Sequence, residues 1–186
     1  MPLNKPIKIG EPIELTERKF GKTMLLQRFY DGLKNYDYNL FDYNNGTPVS
    51  VILPVTPASE VVAIHQFRHG ANEYIYELPG GTPNQNNEKP EEITRRELGE
   101  ETGYLAEKII VLAKNPIWFD PASVTVAYWP CLGLNCRKIH EQNLDDTEYI
   151  KVKTFPLESW LLMIMQGLIA DSKSIVTTYL ALPFLT

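Results

Sequence analysis

Polar and apolar residues alternate at Met24–Phe29 and again at Tyr36–Phe41, with Asp31-Gly32 between them. Period-two alternation on either side of an Asp-Gly pair predicts two antiparallel strands joined by a tight turn. Asn44-Asn45-Gly46 closes this arm. The texture then changes. Val49–Val55 and Val61–Phe67 are β-branched runs separated by Thr56–Glu60, which predicts a hairpin pair. Tyr74–Leu78 predicts a short strand ending at Pro79-Gly80-Gly81. A polar loop, Thr82–Lys89, leads to a helix with Pro90 in its first turn and Gly103 as its stop. Ile109–Leu112, Val124–Leu134 and Tyr149–Phe155 read as further strands, with Asp120-Pro121 as a turn.

Two helices are expected at the C-terminal end. Leu157, Trp160, Leu161, Ile164 and Leu168 recur at helical spacing, and Asp171 can cap a last helix carrying Ile175, Tyr179 and Leu182. Both stripes are expected to be core. Strands mixed with helices predict an α/β domain at 47–186, preceded by a β-strand arm at 1–46.

Charge narrows the function classes. A net charge of −5 opposes general nucleic-acid binding, which needs a basic face. No apolar window approaches the roughly 20 residues of a membrane span. Met1–Pro12 carries no signal-peptide pattern, and Cys131 and Cys136 form no zinc pattern or disulfide framework. The expectation is a cytoplasmic protein with two free thiols and no nucleic-acid or membrane partner.

The chemistry concentrates between Gly80 and Tyr104. Glu97, Glu100 and Glu101 stand at i, i+3 and i+4 and share one helix face. Like charges four residues apart oppose the helix by a few tenths of a kcal/mol. A hard divalent cation with oxygen ligands would reverse that sign, and Mg²⁺ also takes phosphate oxygens and water. Arg96, four residues before Glu100, can orient the cluster, and Gly80-Gly81 admits close backbone approach. A solvated acidic helix face is the competing reading.

The segment resembles the Nudix box: Gly, five residues, Glu, seven residues, then Arg-Glu-apolar-any-Glu-Glu-any-Gly-apolar. Glu88, the seven residues Lys89–Arg95 and the run Arg96-Glu97-Leu98-Gly99-Glu100-Glu101-Thr102-Gly103-Tyr104 match it. Six residues rather than five separate Gly81 from Glu88, which puts the position of Glu88 in question. Outside the box the chain is similar to the ADP-ribose pyrophosphatase group at His65–His69, at Glu77–Gly81, at Asp145–Val152 and at Met163–Leu182.

The resemblance implies a Nudix fold, a mixed β-sheet core sandwiched between helices. It implies Mg²⁺, with Mn²⁺ able to substitute, held by Glu97, Glu100, Glu101 and the backbone at Gly80. It implies substrate contact at Arg68 and Gly81, orientation by Arg96, and a general base from the acidic loop, Asp146 or Glu148. It implies hydrolysis of ADP-ribose or a related nucleoside diphosphate sugar to a nucleoside monophosphate and a sugar phosphate. GDP-mannose or another nucleotide sugar is the alternative substrate, and a non-catalytic nucleotide-binding regulatory domain is a third reading. It also implies a homodimer through the arm. For base stacking the sequence offers Phe29, Tyr30, Tyr36, Tyr38, Phe41, Trp118 and Phe119 without choosing among them.

Overall fold

The computed structural model describes residues 5–85, 87–145 and 148–185. Asp146, one of the two base candidates, lies outside them. The chain divides into two compact units, Met1–Pro48 with Trp118–Ala127, and Val49–Ile117 with Tyr128–Thr186.

The first unit is a three-stranded antiparallel meander of β1 (Ile7–Glu14), β2 (Lys22–Tyr30) and β3 (Asn35–Tyr43). The Asp-Gly turn forms as expected: Tyr30 pairs with Asn35, and Asp31 Oδ1 accepts the amides of Leu33 and Lys34. Local pattern did not reveal β1. Nor did it show that Trp118–Ala127 folds back onto β3, where Phe41 N donates to Ser123 O and Thr125 N donates to Phe41 O. Asp42 anchors this join, accepting from Arg18 at 2.7 Å and from the Thr125 hydroxyl.

The second unit contains β4 (Val49–Pro54), β5 (Glu60–Arg68), β6 (Glu73–Glu77), β7 (Gly80–Gly81), α1 (Pro90–Thr102), β8 (Tyr104–Leu105) and β9 (Lys108–Val111). After the two-residue β10 (Ile117–Trp118) follow β11 (Ala127–Leu134), β12 (Arg137–Lys138), β13 (Lys151–Pro156), α2 (Leu157–Met165) and α3 (Ser172–Ala181). One sheet is mixed: β4 runs parallel to β11 and antiparallel to β7, and β9 joins the far edge of β11. The other is antiparallel, in the order β13-β5-β6. β4 packs against both α1 and α3, and every residue of it is buried, as a strand covered on both faces requires.

Two expectations are corrected. The runs at Val49 and Val61 do not form a hairpin pair. Their turn closes with a single bridge, Val55–Val61, and the strands then enter different sheets. Both runs are continuous rather than alternating, so each has two faces to cover and cannot share one edge.

The second correction concerns the C-terminal stripes. Trp160 and Ile164 are buried, but Leu168 and Tyr179 are 58% and 50% exposed. The buried face of α3 is Ser174, Thr177, Thr178 and Ala181. Partners make this tolerable at Ser174 and Thr178, since a buried hydroxyl costs little once hydrogen-bonded, whereas the buried Thr177 hydroxyl finds none among the described residues. Trp160 Nε1 donates to Thr178 Oγ1 at 2.9 Å, Thr178 Oγ1 donates to Ser174 O, and Leu78 N donates to Ser174 Oγ at 2.8 Å. Asp171 caps α3 as expected, accepting from Ser174 N. The hydroxyl face therefore fixes α3 against the residue that precedes Pro79-Gly80-Gly81.

The two cysteines are free and buried. Burial pushes the Cys131 thiol up to about 11 and the Cys136 thiol up to about 12. Both are packing residues, in a cluster with Ile52, Leu98 and Ala106. No helix among the described residues is long and apolar enough to cross a membrane.

Candidate active site

The helix α1 starts and stops where its sequence says. Pro90 opens it, Glu92 Oε2 accepts Lys89 N at 3.0 Å, and Gly103 ends it in the left-handed region at φ 76°. Ile93, Thr94 and Leu98 hold its inner face, where the Thr94 hydroxyl meets the Ser50 hydroxyl of β4 at 2.8 Å. This rigid attachment sets where the three glutamates project.

The Gly80-Gly81 strand lies between β4 and those glutamates. A Cβ on Gly80 would stand 2.2 Å from the Ser50 carbonyl oxygen, and one on Gly81 would stand 2.2 Å from the Glu97 carboxylate. The first glycine lets the chain pair with β4; the second lets Glu97 close on the backbone. Glu101 is 5% exposed and accepts Gly80 N at 2.9 Å. Burial raises the Glu101 carboxyl well above the usual carboxylate range, and the charges of Glu97 and Glu148 add to it, against the Gly80 hydrogen bond and the Arg68 charge. Burial likewise raises Glu97, with the Arg96 contact working against it.

Arg96 is the hub. Its Nη1 donates to Glu97 Oε1 at 2.8 Å and to Glu100 Oε2 at 3.1 Å, its Nη2 to Thr82 O at 2.7 Å, and its Nε lies 3.5 Å from Glu88 Oε1. Glu88 thus meets Arg96 despite the longer loop, and Asn84 N donates to its other oxygen at 2.7 Å. Among the described residues no three acidic, histidine or cysteine side chains close on one point. Glu97 and Glu101 flank the glycine strand, and Glu100 is held by Arg96.

Arg68, expected to contact the substrate, has part of its guanidinium paired within the protein. Nε and Nη2 donate to the two oxygens of Glu77 at 2.5 and 2.6 Å, so the paired edge of the guanidinium is engaged inside the protein. Glu77 is 1% exposed, and Lys173 Nζ stands 3.9 Å from it. Lys173 also contacts Asp171, whose carboxyl it holds, together with Ser174, below the usual range against the opposing effect of burial. Neither Glu77 nor Lys173 was singled out as a site residue. The available sequence signal was the Glu that opens the Glu77-Leu78-Pro79-Gly80-Gly81 run, nine residues after Arg68.

Glu148 stands in the loop before β13, its N–H donating to Asp145 O at 2.9 Å and its Oε2 accepting Asp145 N at 3.1 Å. Its charge is felt at both Glu97 and Glu101. His65 stacks on Tyr76 with ring centroids 4.3 Å apart, and His69 meets Phe67 edge-on, consistent with packing roles. In the arm Phe29 stacks on Tyr36, while Tyr38 and Phe41 remain exposed, as do Trp118 and Phe119.

The chain is similar to the ADP-ribose pyrophosphatase of Bacillus subtilis, 28% identical over 124 residues, which is 66% of this chain and 65% of that protein. The match thus spans slightly less than two thirds of that relative. It is similar to the GDP-mannose pyrophosphatase of Yersinia enterocolitica, 26% identical over 175 residues, 83% of this chain and 90% of that one. A crystal structure of an ADP compounds hydrolase superposes with a TM-score of 0.79 at 16% identity, covering 100% of this chain and 96% of that one, which shows a shared fold. Residues 46–172, which include every carboxylate of the site just described, match the NUDIX domain, and the chain belongs to that family.

Proposed function

We propose that the chain hydrolyses the pyrophosphate bond of nucleoside diphosphate sugars, with ADP-ribose among its better substrates. The observation that carries this is the pair of buried carboxyls, Glu97 and Glu101, set against a glycine strand with room for backbone and nothing more. Desolvation of both is only partly offset by Arg96 and Gly80. A site of oxygen donors that keeps buried carboxyls this way fits a hard divalent cation. Glu97, Glu101, Glu100 and the Gly80 backbone would hold it, Glu100 exchanging its Arg96 contact, and Mg²⁺ is the ion proposed. When bound, such a cation screens phosphate charge and acidifies water.

The chain's own residues supply the rest. Arg96 holds Glu97 and Glu100 on one side of the helix. Arg68, with Nε and Nη2 paired to Glu77, presents positive charge, and its remaining edge faces the substrate. The Glu148 carboxylate accepts the proton of the attacking water as the water oxygen bonds to phosphorus and the bridging P–O bond breaks. A nucleoside monophosphate and a sugar phosphate leave.

Kinetics on ADP-ribose, ADP-glucose, GDP-mannose, UDP-glucose and ATP test the reading. Several nucleotide sugars should be cleaved and ATP hardly at all; a triphosphate with the highest kcat/KM would overturn it. GDP-mannose is the second reading, favoured by the relative that the chain matches over 90% of its length. A purely regulatory domain is disfavoured because Glu97, Glu100, Glu101 and Arg96 are all present.

A homodimer through the arm belongs to the same proposal. Every residue of β1 is exposed, with Ile7 and Ile13 at 65% and 61%, and Leu33 in the turn between β2 and β3 is exposed at 93%. An exposed strand edge with apolar faces invites pairing, and a second copy would cover it. Sedimentation should give about twice 21.3 kDa; an active monomer at micromolar concentration would contradict this. Two buried free thiols suit a reducing compartment such as the cytoplasm.

A further inference from the structure

An α-helix leaves its last four carbonyls without donors of its own. At the end of α1 the donors come from one loop. Asn143 N donates to Glu100 O at 2.9 Å, and Ile139 N and His140 N donate to Gly103 O at 2.9 and 3.3 Å. Gln142 Nε2 donates to Glu101 O at 2.7 Å. The segment 139–143 is therefore hydrogen-bonded to the backbone of the helix that carries Glu97, Glu100 and Glu101.

Gln142 does something the other donors do not. The same Nε2 also donates to Ile150 O at 3.2 Å. Ile150 is 6% exposed and directly precedes β13. One amide group thus joins the outgoing end of the loop, its returning end and the backbone of Glu101. Glu148 lies two residues before that returning anchor. Among the described residues, the hydrogen bonds of Glu148 itself run to Asp145 and not to α1.

We infer that Gln142 is a positioning residue for Glu148. Its two amide protons, shared between the Glu101 and Ile150 carbonyls, fix how far the base stands from the buried carboxyls on α1. This rests on the reading of Glu148 as the general base. The role requires a donor: Glu is nearly isosteric with Gln, but an ionised carboxylate has no proton to give and would face two carbonyl oxygens. The fold should survive the change. A surface cavity of about 640 Å³ is lined by Gln142, Ile150, Lys151 and Thr102, so water can reach the Ile150 carbonyl once the amide is gone.

A double-mutant cycle decides it, with Gln142→Leu, Gln142→Glu, Glu148→Gln and the double variant Gln142→Leu/Glu148→Gln. An ångström of misplacement costs up to about 100-fold, so each Gln142 variant should lower kcat by roughly 10- to 100-fold, with KM within about threefold of wild type. The thermal shift produced by Mg²⁺ should stay near wild type, since the ligands are untouched. In the Glu148→Gln background, Gln142→Leu should change kcat by less than about twofold, because the group it positions is gone. If Gln142→Leu costs the same factor in both backgrounds, Gln142 acts elsewhere and the inference is wrong. Wild-type kcat in Gln142→Glu would also overturn it. If Glu148→Gln itself keeps wild-type kcat, the base assignment fails and this inference falls with it. That result is distinguishable from a failure of Gln142 alone.

Discussion

Glu101→Gln is expected to lower kcat by at least about 100-fold and to raise the melting temperature of the metal-free chain. The two effects have one origin. Glu101 is 5% exposed, and burial raises its carboxyl well above the usual carboxylate range. On the proposed reading, that buried negative charge would help hold a divalent cation where the pyrophosphate binds. Its loss corresponds to roughly 2.7 kcal/mol of transition-state stabilisation, without a change of shape. Without metal the same charge is a cost of folding. The sign follows from proton binding: between the unfolded pKa and the raised folded pKa, the folded chain holds more protons than the unfolded one. Stability therefore falls as pH rises through that window.

At neutral pH the Gln amide removes this cost, and its oxygen can still accept Gly80 N. A gain of about 1 kcal/mol would move the midpoint by roughly 2–4 °C at this chain length. The gain should shrink at acidic pH, where Glu101 in the wild type is itself protonated. Added Mg²⁺ should stabilise wild type more than the variant, and excess EDTA should stop wild-type turnover. Calorimetry in EDTA at two pH values, beside kcat in Mg²⁺, reads all of this. Full turnover in EDTA, or an unchanged metal-free midpoint, would remove Glu101 from its proposed place.

What the sequence disclosed was what local chemistry decides. Pro90 and Gly103 bound α1, Asp171 caps α3 and Asp31-Gly32 turns the arm, because each acts on backbone within a few residues. The carboxylate face of α1 is legible for the same reason, since i, i+3 and i+4 spacing is a property of the helix alone. What stayed hidden depends on partners distant in sequence. The Val49 and Val61 runs look like hairpin partners until β11 and β13, contributed some 80 to 90 residues later, claim one each. Ser174 and Thr178 look like the wet side of an amphipathic helix until Leu78 and Trp160 supply their hydrogen bonds. The pairing of Arg68 with Glu77 is likewise hidden, since the two stand nine residues apart on neighbouring strands. Gln142 carries no pattern at all; only the unpaired carbonyls at the end of α1 give it meaning.

Glu148→Gln should cut kcat by about 10²–10⁴-fold, the usual range for loss of a general base, while KM changes little. On the proposed reading this carboxylate is the base, and its charge adds to the burial that raises the carboxyls of Glu97 and Glu101. Three carboxylates, Glu97, Glu100 and Glu101, would already hold the proposed cation, and a fourth is better suited to taking a proton from water than to neutralising more charge. Ligand and base make different predictions for binding. If Glu148 were a ligand, Glu148→Gln would weaken Mg²⁺ as well as turnover, and the thermal shift with Mg²⁺ would shrink as it does in Glu101→Gln. A base can be removed with that shift intact. Asp146→Asn is the necessary companion, since the same acidic loop offers both groups. Loss of kcat in Glu148→Gln with near-normal activity in Asp146→Asn assigns the proton transfer to Glu148. The reverse pattern assigns it to Asp146, and wild-type kcat in both variants places the base outside the loop.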